Sequence, residues 1–185
     1  MVVCACAIAA AGALVVIAPQ LNFTARATPS WLETRLAGYV LRRAVRNHAA
    51  AQPNPLPATA ENIKAGEHEY LEHCAVCHAP DGSARDLLGA DFFPPIARLA
   101  RGAPSWSDGE LYYIIANGIR YTGMPGFGQR HDPGEIWKMI LWIRHLPHLT
   151  AQEKAELNQR GECMPQHEQH SPAPLSYFSR GKRLA

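Results

Sequence analysis

The spacing of apolar positions predicts helices, and no strand, through the central part of the chain. Each predicted helix follows a residue suited to cap its first amides. The helices and caps are residues 60–74 after Thr59, residues 108–117 after Ser107, and a third helix from Pro133 up to Pro147 after Asp132. The pattern therefore predicts an all-α domain over residues 59–150 with three core helices.

Long loops rich in glycine and proline separate these helices, the longest being residues 79–105. Structureless loops of this length are uncommon in a small domain. They are expected where the chain wraps a large apolar group that forms part of the core. Thr150 and Glu153 then predict a short last helix, followed by a polar tail, within residues 151–185.

Residues 1–20 contain an uncharged apolar run, Val2–Ala18. The run lies at the short end of a membrane span, which typically needs about 20 residues. A signal peptide cleaved at Ala25-Arg26-Ala27 is the alternative. We therefore expect an N-terminal apolar helix that either anchors the chain or is removed, and both imply export.

Residues 21–58 are predicted to hold an amphipathic helix and a linker. Ser30 and Glu33 form a capping-box pattern that opens a helix over residues 31–46. One face of this helix is basic, and the other carries four apolar side chains: Leu32, Leu36, Tyr39 and Val40. Contact with anionic lipid and packing against the domain are both open interpretations. The prolines of AQPNPLPATA then predict a stiff linker.

The chain of 185 residues carries a net charge of only +2, but the charge is unevenly distributed. Five arginines against one glutamate give residues 21–50 a charge of +4, whereas eight basic and eleven acidic groups give residues 51–150 a charge of −3. The basic stretch is short and amphipathic, which favours a membrane surface over nucleic acid. Aromatic residues do not interleave with basic ones as they do in single-strand binders.

The stretch CAVCH places Cys74 and Cys77 two residues apart, with His78 directly after them. This spacing fits a redox disulfide, half of a zinc site, or haem attachment, in which each cysteine forms a thioether and the histidine binds iron. A zinc site lacks a second Cys/His pair in the core, and a thioredoxin fold needs strands around the motif. The helical pattern and the long loops therefore favour one covalent haem c.

Met124 lies in a predicted loop between Gly123 and Pro125. A methionine on a rigid loop is a suitable sixth ligand for haem iron, and His/Met ligation raises the reduction potential. His131 is a weaker candidate for that position. Met139 falls on a helix and is expected to pack in the core.

Three stretches resemble the monohaem class I c-type cytochromes: GEHEYLEHCAVCH (Gly66–His78), NGIRYTGMPGF (Asn117–Phe127) and EIWKMILWIRHLP (Glu135–Pro147). The likeness covers about residues 59–149 and implies a cytochrome c-like fold around the haem. The chain is similar in particular to membrane-anchored bacterial cytochromes c with a W-L-E-x-x-L helix between anchor and haem domain.

By position, the resemblance implies that Cys74 and Cys77 attach the haem and that His78 and Met124 bind the iron. It implies contact of Gly66 and Tyr70 with Trp142 where the first and last core helices cross. Two further roles are implied for cofactor-binding residues: a backbone carbonyl from Pro94 or Pro95 to hold the His78 ring, and Trp106 or Arg120 to bind a haem propionate.

The function expected is one-electron transfer without catalysis, because protein ligands fill both axial positions of the iron. The expected partners are redox proteins of a respiratory or periplasmic chain, such as a dehydrogenase, cytochrome complex or oxidase, and not nucleic acid. The location expected is the periplasmic face of the bacterial inner membrane, with a soluble periplasmic form after cleavage as the alternative. A gas sensor or peroxide-reactive protein with labile Met124, and a cytochrome subunit of a dehydrogenase complex, are the alternative functions.

The other cysteines and histidines give weaker signals. Five cysteines are an odd number and do not indicate a disulfide framework. Cys163–His170 (CMPQHEQH) is a possible soft-metal site, but a disordered polar tail is the plainer interpretation. On the first core helix, His68 and His73 are expected to face solvent.

Overall fold

The computed structural model describes residues 27–84 and 92–163, together with the isolated positions 6, 12, 15 and 24. These residues form helices joined by loops, and no strand occurs among them. The helices in chain order are α1 (Trp31–His48), α2 (Ala60–His73), α3 (Ala75–His78), α4 (Leu99–Gly102), α5 (Asp108–Asn117), α6 (Pro133–His145) and α7 (Ala151–Cys163). The predicted helical class is therefore confirmed for the described part of the chain.

The N-terminal apolar run lies outside the described residues, apart from isolated positions, and so does the tail beyond Cys163. Within the residues that are described, no helix has both the length and the apolar character that crossing a bilayer requires. The predicted helix of residues 1–20 stays a prediction.

The core forms where α2 crosses α6. Gly66 lies directly on the backbone of α6, and a Cβ atom there would overlap the carbonyl group of Lys138. Only glycine allows two helices to approach this closely. Met139 is fully buried at the crossing, as the sequence predicted. Gly66 thus meets α6 about one turn before Trp142, while Tyr70 and Trp142 share the buried core.

Capping hydrogen bonds fix where the helices begin. The side chains of Ser30, Thr59, Ser107 and Asp132 each accept from a backbone amide in the first turn that follows. Such caps stabilise a helix by about 1 kcal/mol each. The predicted starts of α1, α2, α5 and α6 are confirmed, while α7 has 13 residues and is longer than expected.

Arg144 connects α6 to the first residue of α5 and to the loop before it. Its guanidinium donates to Asp108 Oδ1 at 2.7 Å, to the Ala103 carbonyl at 2.9 Å and to the Trp106 carbonyl at 2.6 Å. Charge-assisted bonds of this kind are stronger than neutral ones. The predicted structureless loop is also partly helical, since it contains α4 and a 3₁₀ turn at Ala103–Ser105.

The C-terminal half of α1 packs against the domain, whereas its apolar N-terminal half is exposed. Val45 is buried, Arg46 Nε lies 3.3 Å from Glu110 Oε1, and the rings of His48 and Tyr113 stack at 6.0 Å. The apolar side chains predicted to share a face are all exposed, together with Trp31: Leu32, Leu36, Tyr39 and Val40. Packing against the domain therefore accounts for only one end of the helix.

The proline-rich linker is held on the domain surface. The Asn54 side-chain amide donates to the Trp137 carbonyl at 2.8 Å, and the Asn54 backbone amide donates to Asp108 Oδ2 at 3.0 Å. A Cβ on Gly109 would overlap the Ala50 carbonyl, so the linker also contacts α5 closely. The segment is a strap across α5 and α6 and not a free spacer.

Candidate functional site

One helical turn carries the two cysteines and the histidine of CAVCH. The amides of Cys77 and His78 donate to the Cys74 carbonyl at 3.1 and 2.9 Å. Residues three and four apart on such a turn lie on the same side. Cys74 is buried and Cys77 is half-buried, so the turn presents both sulfurs at the edge of the core.

The imidazole of His78 is oriented by the backbone. Its Nδ1 lies 2.9 Å from the Ala97 carbonyl oxygen. Since a carbonyl only accepts, Nδ1 carries the proton, and Nε2 keeps its lone pair for a metal. Such outer hydrogen bonds fix the orientation of a ligating histidine.

The acceptor is not the predicted proline. Pro94 and Pro95 are exposed on the loop. Ala97 comes two residues after Pro95 and directly before Arg98, the N-cap of α4. Its carbonyl lies outside the hydrogen-bonding ladder of that helix and faces the His78 ring instead. The expectation that Pro94 or Pro95 supplies this carbonyl was therefore wrong, although the acceptor lies in the same loop.

Burial sets the protonation of this turn. It raises the pKa of the Cys74 thiol to about 12, with Cys77 and Glu69 adding to the effect, and it also raises the pKa of Cys77. Burial also lowers the pKa of His78, against the opposing effect of the Ala97 hydrogen bond. A neutral imidazole keeps the lone pair that a metal ligand needs.

Met124 lies in a non-helical loop that is folded back onto the end of α5. The Met124 carbonyl accepts from the Ile119 amide at 3.1 Å, and the Met124 amide donates to Thr122 Oγ1 at 3.1 Å. Gly118 has φ +69°, and a Cβ there would lie 2.6 Å from the Met124 carbonyl oxygen. The half-buried Met124 side chain packs against the core that contains Cys74.

A single loop contacts both candidate ligand segments. At one end, the Ala97 carbonyl binds His78. At the other, the ring of Phe92 lies where a Cβ on Gly123 would be, next to Met124. This loop therefore joins the histidine segment to the methionine segment.

The two candidates for propionate binding have different surroundings. Trp106 is half-buried, and the guanidinium of Arg42 lies 4.6 Å from its ring centre. Arg120 is exposed in the turn after α5. Both roles stay predictions.

Sequence reasoning missed one cluster beside the CAVCH turn. His73 is half-buried, not solvent-facing, and its ring centre lies 4.4 Å from that of His131. Glu69 lies between them on the same face of α2 as His73. The spacing of Glu69 and His73 was visible in the sequence, but the approach of His131 was not. His68 is exposed as predicted.

Part of the chain matches a known protein family. Residues 61–143 match the family described as cytochrome c oxidase, cbb3-type, subunit III. The matched region contains Cys74, Cys77, His78 and Met124.

Two further similarities cover about half of the chain. The chain is 28% identical over 90 residues to thiosulfate dehydrogenase of Stutzerimonas stutzeri (strain A1501), which is 48% of this chain and 29% of that protein. The chain thus spans less than a third of the length of that curated relative. A chain of the reducing HAO-like protein complex of Kuenenia stuttgartiensis has 25% identity and a TM-score of 0.45, covering 50% of this chain and 46% of that one.

Proposed function

We propose that this chain carries single electrons through one covalent haem c. The match of residues 61–143 to the family described as cytochrome c oxidase, cbb3-type, subunit III supports the proposal. Cys74 and Cys77 would form the thioethers, and His78 Nε2 would bind the iron. When bound, the haem supplies a one-electron iron couple. The observation that carries the proposal is the turn Cys74–His78, where two cysteines and a histidine share one helical turn and the Ala97 carbonyl orients the imidazole through Nδ1.

Met124 is proposed as the second axial ligand. Its loop is fixed to α5 by hydrogen bonds and by the close approach of Gly118. A rigid loop keeps the sulfur in place without a large entropy cost on binding. With both axial positions filled by protein, no position remains for a substrate, which favours a carrier over a catalyst.

The experiment is a reduced-minus-oxidised absorption spectrum of the purified chain, with and without carbon monoxide. We expect a c-type spectrum that carbon monoxide does not change. A spectrum that shifts with carbon monoxide would instead support gas sensing or peroxide chemistry with labile Met124. Absence of haem from a host able to attach it would refute the proposal.

Covalent attachment is tested separately by haem staining after denaturing electrophoresis. The variant Cys77→Ser should lose one thioether, and the double variant with Cys74→Ser should lose covalent haem altogether. Val76→Ala is the matched control, because Val76 lies between the cysteines and is 52% exposed. Equal staining of the double variant and the control would contradict the proposed attachment.

A cytochrome subunit of a dehydrogenase complex is the second candidate. The similarity to a protein named thiosulfate dehydrogenase favours it, with thiosulfate oxidation as one source of electrons. The chemistry of this domain would be the same, but the partner would stay bound. Co-purification of a second redox subunit would favour the complex, and isolation of the chain alone with rapid reduction by a soluble donor would favour a free carrier.

We also propose a location at the periplasmic face of a bacterial inner membrane. The apolar run before residue 20 and the exposed apolar side chains of α1 support it. The electron donor and acceptor would then be membrane-bound redox proteins at that face.

A further inference from the structure

We propose that Glu69, His73 and His131 bind a divalent transition-metal ion of the Zn²⁺ class. One ligand atom from each residue lies within 4.8 Å of the other two. Glu69 Oε2 is 3.8 Å from His73 Nε2 and 3.8 Å from His131 Nδ1. The site is separate from the proposed iron ligands and adds a second metal to the molecule.

Metal binding would draw the three side chains together. Zinc bonds of about 2.0–2.1 Å in tetrahedral geometry place neighbouring ligand atoms about 3.3 Å apart. The Glu69 oxygen would therefore approach each nitrogen by roughly half an ångström. The two imidazole nitrogens, which lie within 4.8 Å of each other, would approach by up to about 1.5 Å.

The backbone holds the three side chains in place. Glu69 and His73 are four residues apart on α2, which puts them on one face. The His131 amide donates to the Phe127 carbonyl at 3.1 Å, and the rings of these residues lie 5.6 Å apart. The His131 side chain is only 10% exposed, so the site is preorganised at the protein surface.

The ligand set selects the class of metal. Two imidazoles and one carboxylate suit Zn²⁺ and its neighbours, whereas Cu⁺ prefers sulfur and Ca²⁺ or Mg²⁺ prefers oxygen throughout. Three protein ligands leave a fourth position for water. Glu135 Oε2 accepts from the Asp132 amide at the start of α6, and at 3.2 Å it also accepts from His131 Nδ1 when that nitrogen is protonated. A metal ion on Nδ1 would displace this proton. We therefore assign Glu135 to the helix cap and not to the metal.

Binding would connect two parts of the domain. His73 directly precedes Cys74, and His131 belongs to the loop between the Met124 segment and α6. A metal would thus cross-link the end of α2 to that loop. Because a ligand that binds only the folded state stabilises it, Zn²⁺ should raise the melting temperature.

The test is calorimetric titration of the metal-stripped, haem-loaded full chain with Zn²⁺. We expect one ion per chain, and at least a tenfold loss of affinity in His73→Gln, His131→Gln and Glu69→Gln. The matched control is His68→Gln. His68 faces Glu72 at 3.7 Å on the same helix with the same spacing, but it belongs to no three-ligand cluster among the described residues. The affinity of the His68→Gln variant for Zn²⁺ should equal that of the wild type.

The histidines of the tail are the main competing source of binding. The double variant His167→Gln, His170→Gln should therefore bind Zn²⁺ as the wild type does. Loss of binding in this variant, unchanged binding in His73→Gln and His131→Gln, or no binding by the wild type would each overturn the proposal.

Misfolding is checked by the haem absorption spectrum and by circular dichroism of each variant. Zinc K-edge absorption of the wild type gives an independent measurement. It should report two imidazole ligands with oxygen in the remaining positions, and a spectrum without imidazole would overturn the proposal even if the variants are unstable.

Discussion

Single residues decide whether the CAVCH turn and the Met124 loop form one site. His78 needs one backbone carbonyl to expose Nε2, and Ala97 provides it at 2.9 Å. The proposed role of Met124 requires its loop to be held in a fixed position. Gly118 allows that loop to lie directly against the end of α5. These contacts are few and specific, so they are best tested by single substitutions.

Met124→Leu should remove the sulfur ligand with little change in volume. We expect a lower reduction potential, because His/Met ligation raises it, and new binding of carbon monoxide. Redox titration and carbon monoxide difference spectra measure the two effects.

Met139→Leu is the matched control, since Met139 is fully buried on α6. This exchange of similar volumes should cost less than about 1.5 kcal/mol and leave the potential unchanged. If both variants behave alike, Met124 is not the ligand.

Gly66→Ala should destabilise the domain, since its Cβ would overlap the backbone of α6 at Lys138. Backbone cannot move aside like a flexible side chain, and overpacking costs typically about 1–3 kcal/mol, occasionally more. Denaturant unfolding of the haem-loaded chain gives the free-energy change.

Gly38→Ala is the control for this substitution, because Gly38 lies within α1 with nothing within 4 Å of the new Cβ. It should stabilise α1 by roughly 0.5–1 kcal/mol. A Gly66→Ala variant as stable as the wild type would mean that α2 and α6 cross elsewhere.

At the scale of elements, local signals were predictable and distant ones were not. Capping side chains act within three residues, so the sequence placed the starts of α2, α5 and α6 correctly. The contacts of Asn54 join residues 54 and 83 positions apart, and no local pattern indicates them. The sequence therefore predicted a stiff linker, but not its attachment to α5 and α6.

The candidate haem site shows the same difference between features that local sequence predicts and features that depend on the fold. The spacing of Cys74, Cys77 and His78 is local and specific, so the sequence alone could nominate this turn, and the attachment of haem there stays a prediction. The carbonyl that holds His78 belongs to the backbone, which every residue offers, so the side-chain pattern could not select Ala97. The contact of His131 with α2 depends on how α2 and α6 cross, and that geometry exists only in the fold.

The attachment of α7 should depend on pH through Glu153. Hydrogen bonds from His145 first, and then from Thr150, lower the pKa of the Glu153 carboxyl from 4.5 to about 2. A depressed carboxyl pKa gives stability that is fully present above about pH 4.5 and is lost as the pH falls towards about 2. Acid should therefore loosen the junction of α6 and α7.

Glu153→Gln is the variant that measures this effect. Its stability deficit relative to the wild type should shrink as the pH is lowered from 6 to 2, followed by circular dichroism. Glu156→Gln, which removes an exposed carboxylate from the same helix, should show no such trend. A deficit that stays constant with pH would contradict the assigned role of the Glu153 charge.

At the scale of the whole molecule, positive charge and exposed apolar side chains occur together on α1, and the net negative charge lies in the domain that follows. Residues 21–50 carry +4 and residues 51–150 carry −3. Near an anionic bilayer, each Arg or Lys gains about 1 kcal/mol, whereas an acidic domain is repelled. Together with the exposed Leu36 and Val40, this arrangement favours α1 against the membrane and the haem domain away from it, accessible to redox partners.

The prediction is that α1 binds anionic vesicles even without the N-terminal apolar run. A haem-loaded chain exported with a cleavable signal sequence in place of residues 1–20 should co-sediment with anionic vesicles and be released by high salt. Leu36→Gln combined with Val40→Gln should weaken binding by about tenfold or more, since each buried CH₂ contributes about 0.8 kcal/mol. Thr34→Gln, an exposed substitution in α1 that removes no large apolar side chain, should bind as before. Equal binding of all three chains would mean that the exposed apolar residues of α1 serve another contact.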